Sequence, residues 1–189
     1  MSSDKQIHII AGPNGAGKSS HARVTLLPNF LSSNEFINAD EIAKMLSPES
    51  PEKSALTAGR LMLKRMEFLI SEGSDFAFET TLSAKTYLRF IQSARARGYR
   101  VNLIFLKLEN SKLAQERVLT RVSKGGHNIE PLVICRRFKR GLENLENYLK
   151  ISDTATIYES SGLELIEIAK KSENKLIVIN QSLWEKIYA

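Results

Sequence analysis

Cysteine is almost absent from this 189-residue chain. With Cys135 alone, no internal disulfide can form. That cysteine lies in an apolar-patterned segment, which suits a buried structural thiol better than a nucleophile. No apolar run is long enough to span a bilayer and no signal peptide is recognisable, so a cytoplasmic location without membrane attachment is expected. Long basic runs are also missing. The net charge of +6 and pI near 9.4 therefore argue for a small anionic ligand more than for nonspecific nucleic-acid binding. There is no internal repeat, low-complexity tract or shift in composition to mark a boundary, and residues 1–189 read as a single domain. At 42% hydrophobic and 25% charged residues, its composition is ordinary for a globular chain with a proper core.

What the chain does carry is concentrated near its start. The apolar run Ile7-His8-Ile9-Ile10-Ala11 feeds into Gly12-Pro13-Asn14-Gly15-Ala16-Gly17-Lys18-Ser19, followed by Ser20. The spacing G-x-x-x-x-G-K-[ST] after a strand and before a helix is that of a phosphate-cradling loop. Glycines at 12, 15 and 17 allow conformations that turn successive N–H groups toward phosphate oxygens. Lys18 is expected to reach the β- and γ-phosphates and Ser19 to offer a hydroxyl to Mg²⁺. Residues 12–20 are thus assigned to a nucleoside triphosphate.

Downstream, short apolar runs alternate with helical patterns. Strands are expected at 35–38, 76–78, 100–108 and 154–158, and helices at 39–46, 52–72, 83–98, 111–124 and 131–150. Residues 163–169 and 176–179 flank a turn and read as a hairpin. The alternation predicts an α/β three-layer sandwich with a mainly parallel five-stranded sheet, a helical lid at about 121–137 and a small C-terminal β extension.

In such a sheet, ligands sit beyond the carboxyl ends of the strands, and Asp40 and Glu79 both fall at strand ends. Asp40 could cap the following helix, a job Asn38 can also do. Its functional role would be to orient an attacking hydroxyl and take its proton. Glu79 could bind Mg²⁺ or the acceptor, with Thr80 on the same rim. Positive charge clusters around Gly125-Gly126, at Arg117, Arg121, Lys124, Arg136, Arg137, Lys139 and Arg140. Helical geometry puts Arg121 and Arg137 beside the buried stripes of their helices, so these two are expected to face the phosphates and the others to be solvated. His127, next to the paired glycines, is expected to be a lid contact with the substrate. The residues leave open a different class of function, a nucleotide-gated protein binding RNA or protein through 117–140 with little catalysis.

Taken together, GPNGAGKSS, FINADEIA, FAFETTLS, YRVNLIFLKL, RVLTRVSKGGHNI, RRFKRGLENL and DTATIYESS resemble the zeta-toxin family of P-loop kinases across roughly residues 7–160. The resemblance implies an ATP- and Mg²⁺-dependent small-molecule kinase acting on a hydroxyl of a sugar nucleotide such as UDP-N-acetylglucosamine, with an antitoxin protein as a partner. It also implies Asp40 as base, Lys18 and Ser19 on ATP·Mg²⁺, Glu79 and Thr80 on the substrate side, and Arg121 and Arg137 as the neutralising arginines.

Overall fold

The computed structural model describes residues 5–22, 35–126, 128–173 and 175–187. Its centre is β1 (Gln6–Ala11), buried on both faces, which pairs in parallel with β3 (Phe76–Thr80) on one side and β4 (Arg100–Lys107) on the other. The short β2 (Phe36–Ile37) extends the sheet beyond β3, and β5 (Thr154–Glu159) extends it beyond β4, all parallel. The hairpin β6 (Ile166–Ser172) and β7 (Lys175–Val178) continues antiparallel along β5, so the C-terminal extension belongs to the same seven-stranded sheet, ordered β2-β3-β1-β4-β5-β6-β7.

The helices are α1 (Lys18–His21), α2 (Ala39–Leu46), α3 (Ala55–Glu72, entered through a 3₁₀ turn at Pro51–Ser54), α4 (Thr86–Ala96), α5 (Ser111–Ser123), α6 (Pro131–Ile151) and the terminal α7 (Gln181–Glu185). Local chemistry sets their ends. Asn38 caps α2 and Asn110 caps α5 by accepting backbone N–H bonds from Asp40 and Leu113. Gly73 closes α3 in the left-handed conformation, and Pro131 opens α6. The sequence expectation for α4 needs correction. The helix expected from residue 83 starts later, because residues 81–85 form an irregular turn and α4 begins at Thr86 with no side-chain cap.

One core cluster joins Ile7, Ile9, Phe76, Phe78 and Leu103 of the sheet to Met62 and Met66 of α3, Ile91 of α4, and Leu145 and Tyr148 of α6. A second packs Leu106 and Leu108 against Ala114 and Val118 of α5, Ile134 of α6, and Ala16 of the loop after β1. Cys135 is half-buried rather than buried, and its Sγ accepts a hydrogen bond from Gln115. Among the described residues, no helix is long and apolar enough to cross a membrane.

Candidate active site

The strand order decides where a site can form. The loop after β1 is flanked by the tips of β3 and β2 on one side and of β4 and β5 on the other, the crevice in which open α/β sheets hold ligands. Gly12, Gly15 and Gly17 all have positive φ (144°, 80° and 80°), and the loop opens directly into α1. The buried Lys18 ammonium donates to the Pro13 carbonyl at 3.0 Å, folding its stem back across the loop.

Glu79, opposite Ile10 in the β1–β3 register, is the hub of the crevice. One of its carboxylate oxygens accepts from Ser19 Oγ at 2.6 Å and from Asn38 Nδ2 at 2.9 Å; the other lies 3.4 Å from Lys18 Nζ. Asn38 therefore does two things. Its Oδ1 takes the Asp40 backbone N–H and its amide nitrogen ties the start of α2 to Glu79. Sequence reasoning saw only the cap. That arrangement leaves Asp40 on the first turn of α2 with an exposed side chain at the cleft wall.

The cleft has two lobes. One, of about 360 Å³, is lined by Gly15, Gly17, Lys18, Ser19, Ser20 and Arg121. The other, of about 200 Å³, lies among Asp40, Thr80, Thr81, Ser83, Tyr87 and Arg137. Both are walled by Asn14, Lys18, Asn38, Asp40 and Glu79, which therefore mark the seam. Tyr87, not anticipated from sequence, stands against Phe78 with ring centres 5.5 Å apart. Burial, reinforced by the Asp40 charge, raises its phenol pKa, so it stays protonated. The rim after β3 is strained: buried Leu82 has φ 57°, and its N–H is held by the Thr80 hydroxyl. A buried leucine in this conformation persists only where its surroundings over-determine it, as they often do beside functional sites.

Beyond Ser83, Ala84 and Arg137 the smaller lobe adjoins a recess of about 790 Å³ lined by Lys85, Arg89, Arg136, Arg137 and Arg140, with Glu143 the one acidic residue. Arg136 and Arg140 are exposed, as the sequence suggested, yet they line this recess instead of a bland solvated face. Arg121 is exposed beside the P-loop lobe and Arg137 half-buried in the other, so the two arginines flank opposite ends of the seam. His127 lies outside the described residues. No cluster of three or more His, Cys, Asp or Glu side chains capable of holding a metal occurs among the described residues. The hydroxyl of Ser19 and the carboxylate of Glu79 nevertheless converge as hard oxygen donors, the set that suits Mg²⁺ when phosphates and water complete the shell.

Opposite the carboxylates, β4 and β5 end in a buried ion pair, Lys107 Nζ to Glu159 Oε2 at 3.0 Å. Burial pushes the Glu159 pKa up, but the hydrogen bonds from Ser161 and Lys107 outweigh it, and the net value falls below the ordinary carboxylate range. The associated stability should be fully present above that ordinary range and be lost as pH falls through the lower, folded-state value. In Glu159→Gln this acid-limb contribution disappears and Lys107 is left buried without a counter-charge. About 3–5 kcal/mol should be lost at neutral pH, measurable by urea melts between pH 3 and 7.

Comparison with known proteins agrees with this geometry. Over its full length the chain superposes on two structures of the AvrRxo1-ORF1:AvrRxo1-ORF2 complex, one with sulphate ions (TM-score 0.77, 16% identity, 65% of that chain) and one with ATP (0.77, 17%, 64%). It therefore spans just under two-thirds of those chains. It also superposes fully on a chain of the PezAT chromosomal toxin–antitoxin system of Streptococcus pneumoniae, with a TM-score of 0.71, 21% identity and 81% of that chain covered. At these identities the likeness is one of fold. An uncharacterised Haemophilus influenzae protein is 28% identical over 127 residues, 67% of this chain and 88% of that protein. Residues 2–181 match the family profile described as "Zeta toxin". With a P-loop at the centre of a mostly parallel sheet and that match over nearly its whole length, the chain belongs to the zeta toxin family and has a P-loop kinase-like fold.

Proposed function

We propose that this protein transfers the γ-phosphate of ATP to a hydroxyl of a sugar nucleotide, UDP-N-acetylglucosamine being the first to try. The observation that carries this reading is the pair of lobes meeting at Lys18, Glu79 and Asp40, with the arginine-lined recess beside the acceptor lobe. Sugar nucleotides present a hydroxyl at one end and a diphosphate some distance away, and the two compartments match that separation of charge.

On this reading the acceptor hydroxyl lies beside Asp40, whose carboxylate holds it in line and takes its proton as its oxygen bonds to the γ-phosphorus. The bond from phosphorus to the β–γ bridging oxygen breaks, and ADP leaves. Lys18, Arg121 and Arg137 offset the charge on the migrating group. Ser19 and Glu79 would hold Mg²⁺, which supplies Lewis-acid neutralisation of the phosphate oxygens. Asn38 fixes Glu79, while Thr80 and Tyr87 shape the acceptor wall. His127 and residues 121–137 are assigned to the lid that excludes water. A protein partner, of the kind named for PezAT and the AvrRxo1 complex, completes the proposal.

The test is transfer of label from γ-labelled ATP to a panel of UDP-sugars, nucleosides and oligonucleotides. Acceptor-dependent ADP release supports the kinase. ATP-dependent capture of an oligonucleotide with no label transferred would replace it with the nucleotide-gated binder. Arg136→Ala/Arg140→Ala should raise the acceptor KM roughly tenfold with kcat little changed, since these side chains face the recess and not the seam.

A further inference from the structure

The phosphate loop is tied to the tip of β5. Arg117, on α5, was expected to be solvated, yet its guanidinium is half-buried and fully engaged with carbonyls. Nη1 donates to Ser160 O at 2.7 Å and, at 3.4 Å, to Gly15 O within the P-loop; Nη2 donates to Ser161 O at 2.6 Å. Buried Ser160 adds a second tie, donating from Oγ to the Ala16 carbonyl at 2.8 Å. The anchor behind both is itself immobilised. Ser161 donates its N–H and hydroxyl to Glu159, whose other oxygen pairs with buried Lys107, and Ser161 Oγ accepts from the Glu109 N–H. Contact is close enough that a Cβ on Gly15 would stand 3.0 Å from both Arg117 Cβ and Ala114 O.

Consecutive P-loop carbonyls, those of Gly15 and Ala16, are thus held by two side chains that meet at one strand end: Ser160, just beyond β5, and Arg117 from α5, which also lines the P-loop lobe. In the first of these peptides the Ala16 N–H is kept within the loop by Pro13 O at 3.2 Å; in the second, the held Ala16 carbonyl fixes the opposite orientation of the Gly17 N–H, one of the donors a phosphate chain requires. We propose that Arg117 and Ser160 are positioning residues that preset the P-loop for the β- and γ-phosphates, with the β5 tip as their common anchor. Neither serves as a catalytic residue here. The guanidinium fork is essential to the arrangement, because a lysine ammonium cannot reach three carbonyls on two segments from one fixed position.

The test is a double-mutant cycle on the full chain, Arg117→Lys, Ser160→Ala and both together, read by calorimetric titration with ATP·Mg²⁺, inorganic tripolyphosphate and adenosine, alongside thermal melts. Each single variant should weaken ATP·Mg²⁺ and tripolyphosphate in parallel by about tenfold, with adenosine unchanged, since only phosphate contacts depend on the loop. The double variant should be little worse than the poorer single one, because the two side chains hold adjacent peptides of one loop through the same strand end. Binding of ATP·Mg²⁺ within twofold of the parent in both single variants overturns the proposal. So do losses that multiply in the double variant, or that fall equally on adenosine and track the melting temperature, which mark a merely structural role. Nothing in this test depends on which acceptor is used.

Discussion

Asp40→Asn should cut turnover by about 10²- to 10⁴-fold and leave ATP affinity close to that of the parent. The substitution keeps size and shape and removes only the capacity to accept a proton. It leaves the fold alone, because the start of α2 is secured by Asn38 and not by Asp40: the Asn38 side chain takes the residue-40 N–H and ties it to Glu79. Asp40 itself is exposed at the seam, on the wall of both lobes. Single-turnover transfer to whichever UDP-sugar accepts label, with ATP binding titrated separately, gives the two numbers needed. Unchanged turnover would remove the base from Asp40, and a parallel collapse of ATP binding would mean that the residue serves the nucleotide instead.

The Gly12→Ala protein should be destabilised by roughly 3 kcal/mol or more and should not bind ATP. Gly12 has φ 144°, and a Cβ there would stand 2.3 Å from the Leu106 carbonyl of β4. Backbone is the obstacle, so no rotamer change relieves it, and moving β4 would disturb the central β1–β4 pairing. Gly12 N–H is also committed to Thr80 O at 3.2 Å, which links the loop to the acceptor rim. Gly98→Ala is the control: it shares positive φ but meets nothing within 4 Å, and should lose about 1 kcal/mol with ATP binding retained. Equal losses in both would show that φ alone, rather than the close approach, sets the cost.

These cases show which parts of the site were legible in the sequence. The P-loop was, because its glycines answer a local backbone demand that spacing alone expresses. The position of Asp40 and Glu79 at strand ends was too, since hydrophobic periodicity places the ends and the α/β rule places the crevice. The hairpin was legible as strands, though not as part of the main sheet. Of the arginines expected to be solvated, Arg117 is not. A helical wheel shows which face of α5 or α6 is apolar, but it does not show what stands opposite the polar face. Arg117 is engaged because the β5 tip folds over it, a contact between residues 43 and 44 positions apart, and Arg136 and Arg140 matter only because α4 and residues 83–86 form the far wall of their recess. Tyr87 and the Leu82 turn were hidden for the same reason, as products of packing and not of local pattern.

Helix α6 comes so near the rim after β3 that a Cβ on Gly141 would lie 2.5 Å from Thr81 O. Asn144 donates to Leu82 O at 2.8 Å and Tyr148 to Ala84 O at 3.1 Å, so three successive turns of the helix are pinned to one short segment. Arg137 sits one turn ahead of the first pin. Any gating motion must therefore hinge N-terminal to Gly141, and the span between Gly141 and the threonine rim behaves as a fixed gauge. An acceptor too wide for that gap would be refused by stiffness before charge had any say.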